Sequence, residues 1–328
     1  MRSHVRDYHE VMKGSGPLAW MAYVGIRVIF ALMQVFPMGW NLRTARWLAW
    51  FWMLILPRHR ERAVAHLRNA FGPELSERRT QEVARRCLES AAMFAVEAVC
   101  LPRLIGLSTW NRYIQLERFE EVLDLIVSGK GLILVTAHYG SFEVVGHFLA
   151  CLGFDVAAVM RPIDNFYLNR FLVETRRKHG LALLDKRGAM QDAEALVSGG
   201  TLMAFIGDQD AGRKGLFVSF FGQPASTYKS IGLLAMSTKV PIVVGYARRE
   251  GNLARYVVGA ERIIHPHEWE KQDDPLVWIT QTFSAALESM IRAAPEQYWW
   301  MHRRWKHQPK GNRHASPSKP DLVSESPR

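Results

Sequence analysis

Residues 131–153, GLILVTAHYGSFEVVGHFLACLG, contain an apolar run, a short polar turn and a second apolar stretch with helical spacing. This pattern predicts a buried strand that ends just before His138 and is followed at once by a helix. Short runs rich in β-branched residues recur downstream: FDVAAVM, LALLD, TLMAFIG, PIVVGYA and YVVGAERI. Helical patterns lie between several of them, which predicts an α/β fold with a mainly parallel sheet flanked by helices. Ligands gather at the carboxyl ends of the strands in such sheets.

A histidine and a glutamate, His138 and Glu143, stand five positions apart at the end of the predicted strand. The spacing alone has little weight. With 12 His and 31 acidic residues in 328 positions, about one such pair is expected by chance (12 × 31/328), and His265 with Glu270 is a second. However, His138 precedes a Gly-Ser turn and Glu143 opens a helix, whereas His265 lies in a polar loop. Side chains five positions apart on one helix point about 140° apart, so the turn would have to bring His138 and Glu143 together.

Such a pair would act as a general-base dyad, in which the carboxylate fixes the imidazole tautomer and raises its basicity. The alternative is a polar loop followed by a carboxylate that the helix dipole favours. Ser141 does not lie in a G-x-S-x-G nucleophile turn, so the dyad predicts direct transfer to an acceptor hydroxyl. HYGSFE lacks the H-E-x-x-H spacing of zinc ligands, and we expect no metal.

Two further segments place polar residues at predicted strand ends. Asp208 and Asp210 follow TLMAFIG, and Arg161 follows FDVAAVM, with Arg176 late in the next helical pattern. The arginines could bind a phosphate or stabilise an oxyanion. An ordinary acidic turn and basic residues that suit a helix C-terminus are the alternative interpretations.

The N-terminal region contains an apolar stretch at residues 18–36 that is long enough to span a membrane. Arg27 lies at its midpoint and shares a helical face with Tyr23 and Gln34, which favours a helix lying on the membrane surface. The segment WLAWFWMLIL, residues 47–56, is too short to span. We therefore expect membrane association, with spanning and surface-lying helices both open, and packing onto a soluble core as the alternative.

The net charge of +11 predicts an acidic partner, such as an anionic lipid, a phosphorylated substrate or an acidic carrier protein. No recognisable nucleic-acid-binding module is present, so nucleic acid is not expected. We divide the chain into a membrane-associating helical region (1–57), a catalytic domain (58–308) and a Pro/Ser-rich tail expected to be disordered (309–328). The domain begins with a helical lead-in that extends to about residue 125.

Several segments together resemble the late acyltransferases of lipid A biosynthesis, the lauroyl/myristoyl type. The resemblance covers roughly residues 20–308 and rests on TAHYGSFE, MRPIDNFYLNRFLVETRRKHG, GDQDAG, GLFVSFFGQPASTYKSIGLLAMSTKVPIVV and APEQYWWMHRRWK. It implies a glycerolipid-acyltransferase-like fold at the cytoplasmic face of the inner membrane. It also implies transfer of a fatty acyl chain from acyl carrier protein, or from CoA, to a hydroxyl of a lipid A precursor, without a cofactor.

The same resemblance implies roles for individual residues. His138 corresponds to the general base, Glu143 to its partner, and Arg176 to a group that binds substrate or stabilises charge. Asp208 matches the family's D-Q/H-D block and Arg161 the RP-x-x-N block, and both are expected near the substrate. Arg303 and Arg304 match the basic ending and are expected to contact a phosphate or headgroup. An acyltransferase for another membrane glycolipid or phospholipid, and a non-catalytic membrane lipid-binding protein, remain as alternatives.

Overall fold

The computed structural model describes residues 14–160, 162–185, 189–251 and 254–309. A seven-stranded sheet in this part of the chain has the order β1-β9-β8-β2-β5-β3-β4. A separate antiparallel hairpin joins β6 and β7. The strands are β1 (Ile114–Glu117), β2 (Leu132–Thr136), β3 (Val156–Met160), β4 (Leu181–Asp185), β5 (Leu202–Ile206), β6 (Leu216–Phe220), β7 (Gln223–Thr227), β8 (Ile242–Arg249) and β9 (Tyr256–Ile264).

The expectation of a mainly parallel sheet flanked by helices is confirmed. Strands β8, β2, β5, β3 and β4 run parallel, β9 is antiparallel to β8, and β1 is parallel to β9. Two elements were not predicted. Strand β1 interrupts the expected helical lead-in. It was missed because four residues with one buried side chain give no periodic signal. The β6–β7 hairpin also escaped prediction.

Helices cover the sheet and form the N-terminal part of the chain. They are α1 (Pro17–Val35), α2 (Met38–Ile55), α3 (Pro57–Phe71), α4 (Glu77–Leu104), α5 (Glu120–Val127), α6 (Glu143–Cys151), α7 (Phe166–Lys178), α8 (Ala189–Ser198), α9 (Ser230–Thr238), α10 (Pro266–Trp269) and α11 (Pro275–Ala293). The Ser76 side chain caps α4 by accepting a hydrogen bond from the backbone N–H of Arg79.

Strand β2 is buried on both faces. Ile133 and Val135 belong to a core formed with α3, α8, α9 and α11. Leu132 and Leu134 belong to a second core formed with α5 and α6. Because neighbouring residues of a strand face opposite sides of the sheet, a strand covered on both sides reads as an uninterrupted apolar run. This is why LILV gave so clear a signal.

The first two helices differ in how they join the rest of the molecule. None of the residues of α1 is buried, and it is long and apolar enough to cross a membrane. It contacts α7, where the Arg27 guanidinium lies 4.1 Å from the Phe171 ring centroid and the Asn165 side chain donates to the carbonyl of Ala19. Helix α2 packs on α4 and buries Leu42, while Trp47, Trp50, Leu54 and Ile55 remain exposed.

A buried ion pair connects α4 to β8. The Arg249 guanidinium donates to both carboxylate oxygens of Glu97 at 2.5 and 2.6 Å, and the Tyr256 hydroxyl donates to the same carboxylate. Backbone groups of Arg249 also exchange two hydrogen bonds with the Gln297 side chain. These contacts fix the start of the segment 297–304, which forms one wall of the site described next.

Candidate active site

The sheet register brings a histidine and an aspartate together. Strands β2 and β5 are parallel neighbours, with Thr136 opposite Ile206. His138 and Asp208 each lie two residues beyond these strand ends, at the carboxyl edge of the sheet. The Nδ1 atom of His138 is 2.9 Å from Oδ1 of Asp208, and the backbone N–H of His138 donates to Oδ2 at 3.2 Å. The carboxylate is fully buried.

Two glycines allow the chain to approach itself closely here. Gly140 has φ +58°, and a Cβ at this position would lie 2.1 Å from the carbonyl oxygen of Ala247. Gly207 donates its N–H to the carbonyl of Thr136 at 2.7 Å, and a Cβ there would lie 2.9 Å from Cγ1 of Val135. Larger residues at either position would move His138 or Asp208 away from the other.

The imidazole keeps Asp208 ionised. Burial by itself would raise the pKa of this carboxyl group, but the charge of His138 and hydrogen bonds from its ring and backbone lower it, with help from His302. The net effect is a pKa well below the ordinary value. An ionised carboxylate on Nδ1 holds the proton of neutral His138 on that atom, which leaves Nε2 as a proton acceptor.

Aromatic rings enclose His138. The Trp299 ring lies 5.1 Å from the imidazole, the His302 ring stacks on it at 5.1 Å, and the edge of Phe142 approaches at 5.4 Å. The backbone N–H of Trp299 donates to the carbonyl of His138 at 3.0 Å. The His138 side chain is 11% exposed, and its Nε2 forms no hydrogen bond with any residue that the structure describes.

An apolar cavity lies next to the ring cluster around His138, although His138 itself does not line it. Its volume is about 160 Å³, and it extends beneath α5 and α6 across strands β9 to β4. Phe142 belongs both to its wall and to the ring cluster around His138. Among the lining residues, all within the described ranges, Thr136, Glu143 and Arg176 are the polar ones. The arrangement places an imidazole whose Nε2 has no partner among the described residues close to an elongated apolar chamber.

Comparison with known proteins identifies the family. The family model described as bacterial lipid A biosynthesis acyltransferase matches residues 12–307. The chain belongs to this family. It is 24% identical to the lipid A biosynthesis lauroyltransferase of Escherichia coli K12 over 304 residues, covering 90% of this chain and 94% of the relative. It is 23% identical to a lipid A biosynthesis acyltransferase of Haemophilus influenzae, covering 85% and 92%. The E. coli palmitoleoyltransferase is 26% identical over 61% of the chain.

The chain is therefore an acyltransferase of lipid A biosynthesis, and the resemblance noted in the sequence is confirmed. The expected pairing of His138 with Glu143 was wrong. Asp208 occupies Nδ1 of His138, while Glu143 accepts a 2.6 Å hydrogen bond from Arg176 on α7. The register of β2 and β5 places Asp208 beside the ring, whereas Glu143 begins α6 beside α7. Together Glu143 and Arg176 line the apolar cavity and a second cavity of about 70 Å³ between α4, α6 and α7.

The two arginines of the basic ending of this acyltransferase differ in burial. Arg304, expected to contact substrate, is 1% exposed, and its guanidinium donates to the carbonyl of Ser226 and to the Thr227 hydroxyl. It joins β7 to the site and cannot reach a headgroup. Arg303 is exposed, as a substrate contact requires. Arg161 lies outside the described residues.

Sequence reasoning assigned Asp208 to substrate binding and overlooked Trp299 and His302. The signal for Asp208 was present, because TAH and IGD each place a polar residue two positions past a strand, and parallel strand ends meet at one edge. No comparable signal exists for Trp299 and His302. They reach His138 through an antiparallel bridge between Tyr139 and Tyr298, which local patterns do not reveal.

The stability of this acyltransferase should depend on pH through His302. Burial lowers the pKa of His302 below its ordinary value of 6.5, and Asp208 offsets this only in part. Below pH 6.5 the unfolded chain binds a proton that the folded protein does not, so the free energy of unfolding should fall as the pH drops. We expect a smaller decrease for His302→Phe, which keeps an aromatic ring against His138.

Urea unfolding at pH values on either side of 6.5 measures this difference. His66 and His147, whose pKa values burial also lowers, should leave some pH dependence in the variant. An unchanged pH dependence in His302→Phe would show that His302 is protonated equally in the folded and unfolded states.

Proposed function

We propose that this chain transfers a fatty acyl group from a thioester to a hydroxyl of a lipid A precursor, with His138 as the general base. The observation that carries the proposal is the buried His138–Asp208 pair beside an apolar cavity. Nε2 of His138 takes the proton of the acceptor hydroxyl, and the oxygen attacks the thioester carbonyl carbon. The C–S bond then breaks, the imidazolium returns the proton to the thiolate, and an ester and a free thiol remain.

The tetrahedral intermediate requires donors for its negative oxygen. The backbone N–H groups of Phe142 and Glu143 lie at the start of α6, five residues or fewer from His138, where the helix dipole favours negative charge. Ser141 does not support a covalent alternative. Its hydroxyl is buried and has no hydrogen bond with any base in the described part of the chain.

The apolar cavity is the proposed site for the acyl chain. Hydrocarbon gains about 25 cal/mol per Å² of apolar surface removed from water, so a chamber lined by Leu, Val, Ala and Phe binds it favourably. The Glu143–Arg176 ion pair lies in the same wall. There it can hold the thioester end of the chain close to His138, with the Arg176 guanidinium facing developing negative charge.

Gly146 offers a direct test of this chamber. It lines the cavity from α6, and a Cβ at this position would meet Cδ1 of Leu181 at an ordinary 3.6 Å. Gly146→Ala should therefore leave the fold intact and stabilise the helix by roughly 0.5–1 kcal/mol. Gly146→Leu should fill the chamber and shift the preferred acyl chain to a shorter one. Competition between thioesters of different length measures the shift; an unchanged preference in a folded Gly146→Leu would place the acyl chain elsewhere.

We further propose that the protein acts at the cytoplasmic face of the inner membrane, where α1 and the exposed face of α2 associate with the bilayer. The donor is acyl carrier protein, with acyl-CoA as the alternative thioester. The net charge of +11 supports both an acidic carrier and an anionic glycolipid acceptor. Labelling of cysteines engineered at the two ends of α1 distinguishes a helix that spans the bilayer from one that lies on its surface.

Purified protein, an acyl thioester and a lipid A precursor provide the decisive experiment. We expect the mass of the precursor to increase by one acyl group and free thiol to appear in equal amount. Acylation of a different membrane glycolipid or phospholipid instead would keep the chemistry and change the acceptor. Binding without transfer would favour a non-catalytic lipid-binding protein.

A further inference from the structure

Three arginines converge beside the wall of the active site: Arg58, Arg62 and Arg303. Arg58 and Arg62 are four residues apart on α3, so their side chains share a helix face. The Arg62 guanidinium donates to the carbonyl of Met301 at 3.2 Å, which places it next to Arg303. None of the three forms an ion pair within the described ranges, and neither does the adjacent Glu61.

Surface arginines with and without a carboxylate partner occur elsewhere in the described residues; this cluster differs in that three arginines lie together, each without such a pair. Such pairs include Arg68–Glu77, Arg79–Glu82, Arg85–Glu89, Arg170–Glu174 and Arg292–Glu74. In the cluster, partial burial lowers the pKa of Arg62, and the charges of Arg303 and Arg58 lower it further. The folded protein thus holds like charges together without compensation, as expected where an external anion supplies it.

A neutral histidine adds a donor to the cluster. The Trp52 indole N–H donates to Nδ1 of His59 at 2.9 Å, so the ring hydrogen of neutral His59 resides on Nε2. Burial and the charges of Arg58 and Arg62 lower the pKa of His59, which favours this neutral form. The cluster therefore combines guanidinium groups of α3 and of the active-site segment with an imidazole N–H of α3.

The cluster lies between an apolar surface and the base. Helix α3 begins directly after α2, whose last residues Leu54 and Ile55 are 60% and 73% exposed. On the other side, Met301 precedes His302, which stacks on His138. A lipid with its chains along the end of α2 and a hydroxyl at His138 would pass its polar headgroup across the arginines.

We propose that Arg58, Arg62 and Arg303 bind a phosphate monoester on the glycolipid acceptor. This proposal rests on the proposed function above and adds the chemical group by which the acceptor is recognised. A phosphate monoester carries nearly two negative charges and three terminal oxygens at neutral pH, and guanidinium groups bind it through paired hydrogen bonds. The neighbouring exposed apolar end of α2 favours a lipid over an acidic carrier protein as the source of the anion.

The kinetic test compares a phosphorylated glycolipid acceptor with its dephosphorylated form. For Arg303→Gln we expect KM for the phosphorylated acceptor to rise about tenfold, with turnover changed less than twofold and no effect on the dephosphorylated acceptor. Arg62→Lys, which keeps the charge but not the paired donors, should show a smaller rise. Arg78→Gln is the control, because Arg78 is an exposed arginine far from the cluster. Its neighbour Glu77 pairs with Arg68, which lies at the end of α3 opposite to Arg58.

Two kinetic outcomes would overturn the proposal. An equal loss with both acceptors would show that phosphate is not what the cluster recognises. A rise in KM for the acyl-carrier thioester alone would assign the arginines to the carrier protein.

A binding measurement separates this proposal from the function itself. Phosphatidylcholine vesicles containing phosphatidic acid present a phosphate monoester, and vesicles containing phosphatidylglycerol present a diester. We expect the wild-type protein to prefer the former and Arg303→Gln to lose that preference. If the preference depends on Arg303 but no lipid A precursor is acylated, the proposed function fails and the phosphate site stands. If acylation proceeds but the substitution does not alter the preference, the phosphate site fails alone.

Discussion

His138→Gln is expected to lower the turnover number by on the order of 10³-fold, since a positioned general base contributes typically 10²–10⁴-fold. The glutamine side chain can still accept a hydrogen bond from the acceptor hydroxyl, but it cannot take its proton. Formation of the acylated lipid from a thioester donor, followed by mass spectrometry, measures the loss. The KM for either substrate should change much less than the turnover number.

The other His-x4-acid pair provides a matched control for this substitution. His265 also bonds a carboxylate, that of Glu121, but it lies at the start of the short helix α10. We expect His265→Gln to retain wild-type turnover within about twofold, the range expected of a surface change. If folded His138→Gln retains the activity of His265→Gln, His138 is not the base.

Asp208→Asn should have a comparable effect on turnover, again on the order of 10³-fold. The amide can present its N–H₂ to the ring, which favours the tautomer with hydrogen on Nε2 and leaves that atom unable to accept a proton. Glu143→Gln should cost less, because Glu143 contacts Arg176 and not the imidazole. A Glu143→Gln defect as large as that of Asp208→Asn would restore the pairing suggested by the sequence.

Asp210 supplies the control for Asp208. It holds His307 through the same two contacts, from ring Nδ1 at 2.5 Å and from the backbone N–H at 3.1 Å. Asp210→Asn therefore removes a similar pair two residues away, and we expect turnover to remain within a few-fold of wild type.

Because His138 lowers the pKa of Asp208, the ionised Asp208 carboxylate should also stabilise the folded protein above its ordinary pKa of 3.8. This stabilisation should disappear as the pH falls further.

The sequence sufficed for elements whose signal is local. The run LILV, the turn at Gly140 and the helix from Glu143 each follow from residues adjacent in the chain, and the structure confirms all three. The partner of His138 could not be obtained in this way. Glu143 is five residues away and Asp208 is seventy, and only the register of β2 against β5 shows that the distant residue is the contact.

The basic ending illustrates a second limit. Arg303 and Arg304 are adjacent and chemically identical, yet one is exposed and the other is buried against Phe220, with its centre 5.1 Å from the ring. The direction of Arg304 depends on its contacts with the hairpin β6–β7, which the sequence did not predict. A residue pattern thus indicated positive charge near the site but not which guanidinium could meet a ligand.

Helix α7 joins two parts of the molecule that a truncation would separate. Phe171 packs against Tyr23 and Phe30 of α1, and Arg176, little more than one turn later, lines the chamber beside His138. Removing residues up to 36 to obtain a detergent-free preparation would strip the apolar cover from α7 and loosen the ion pair at Glu143. An active, detergent-free protein is therefore better obtained from the full chain. Exposed residues such as Leu18, Val28 and Leu32 would be replaced with polar ones.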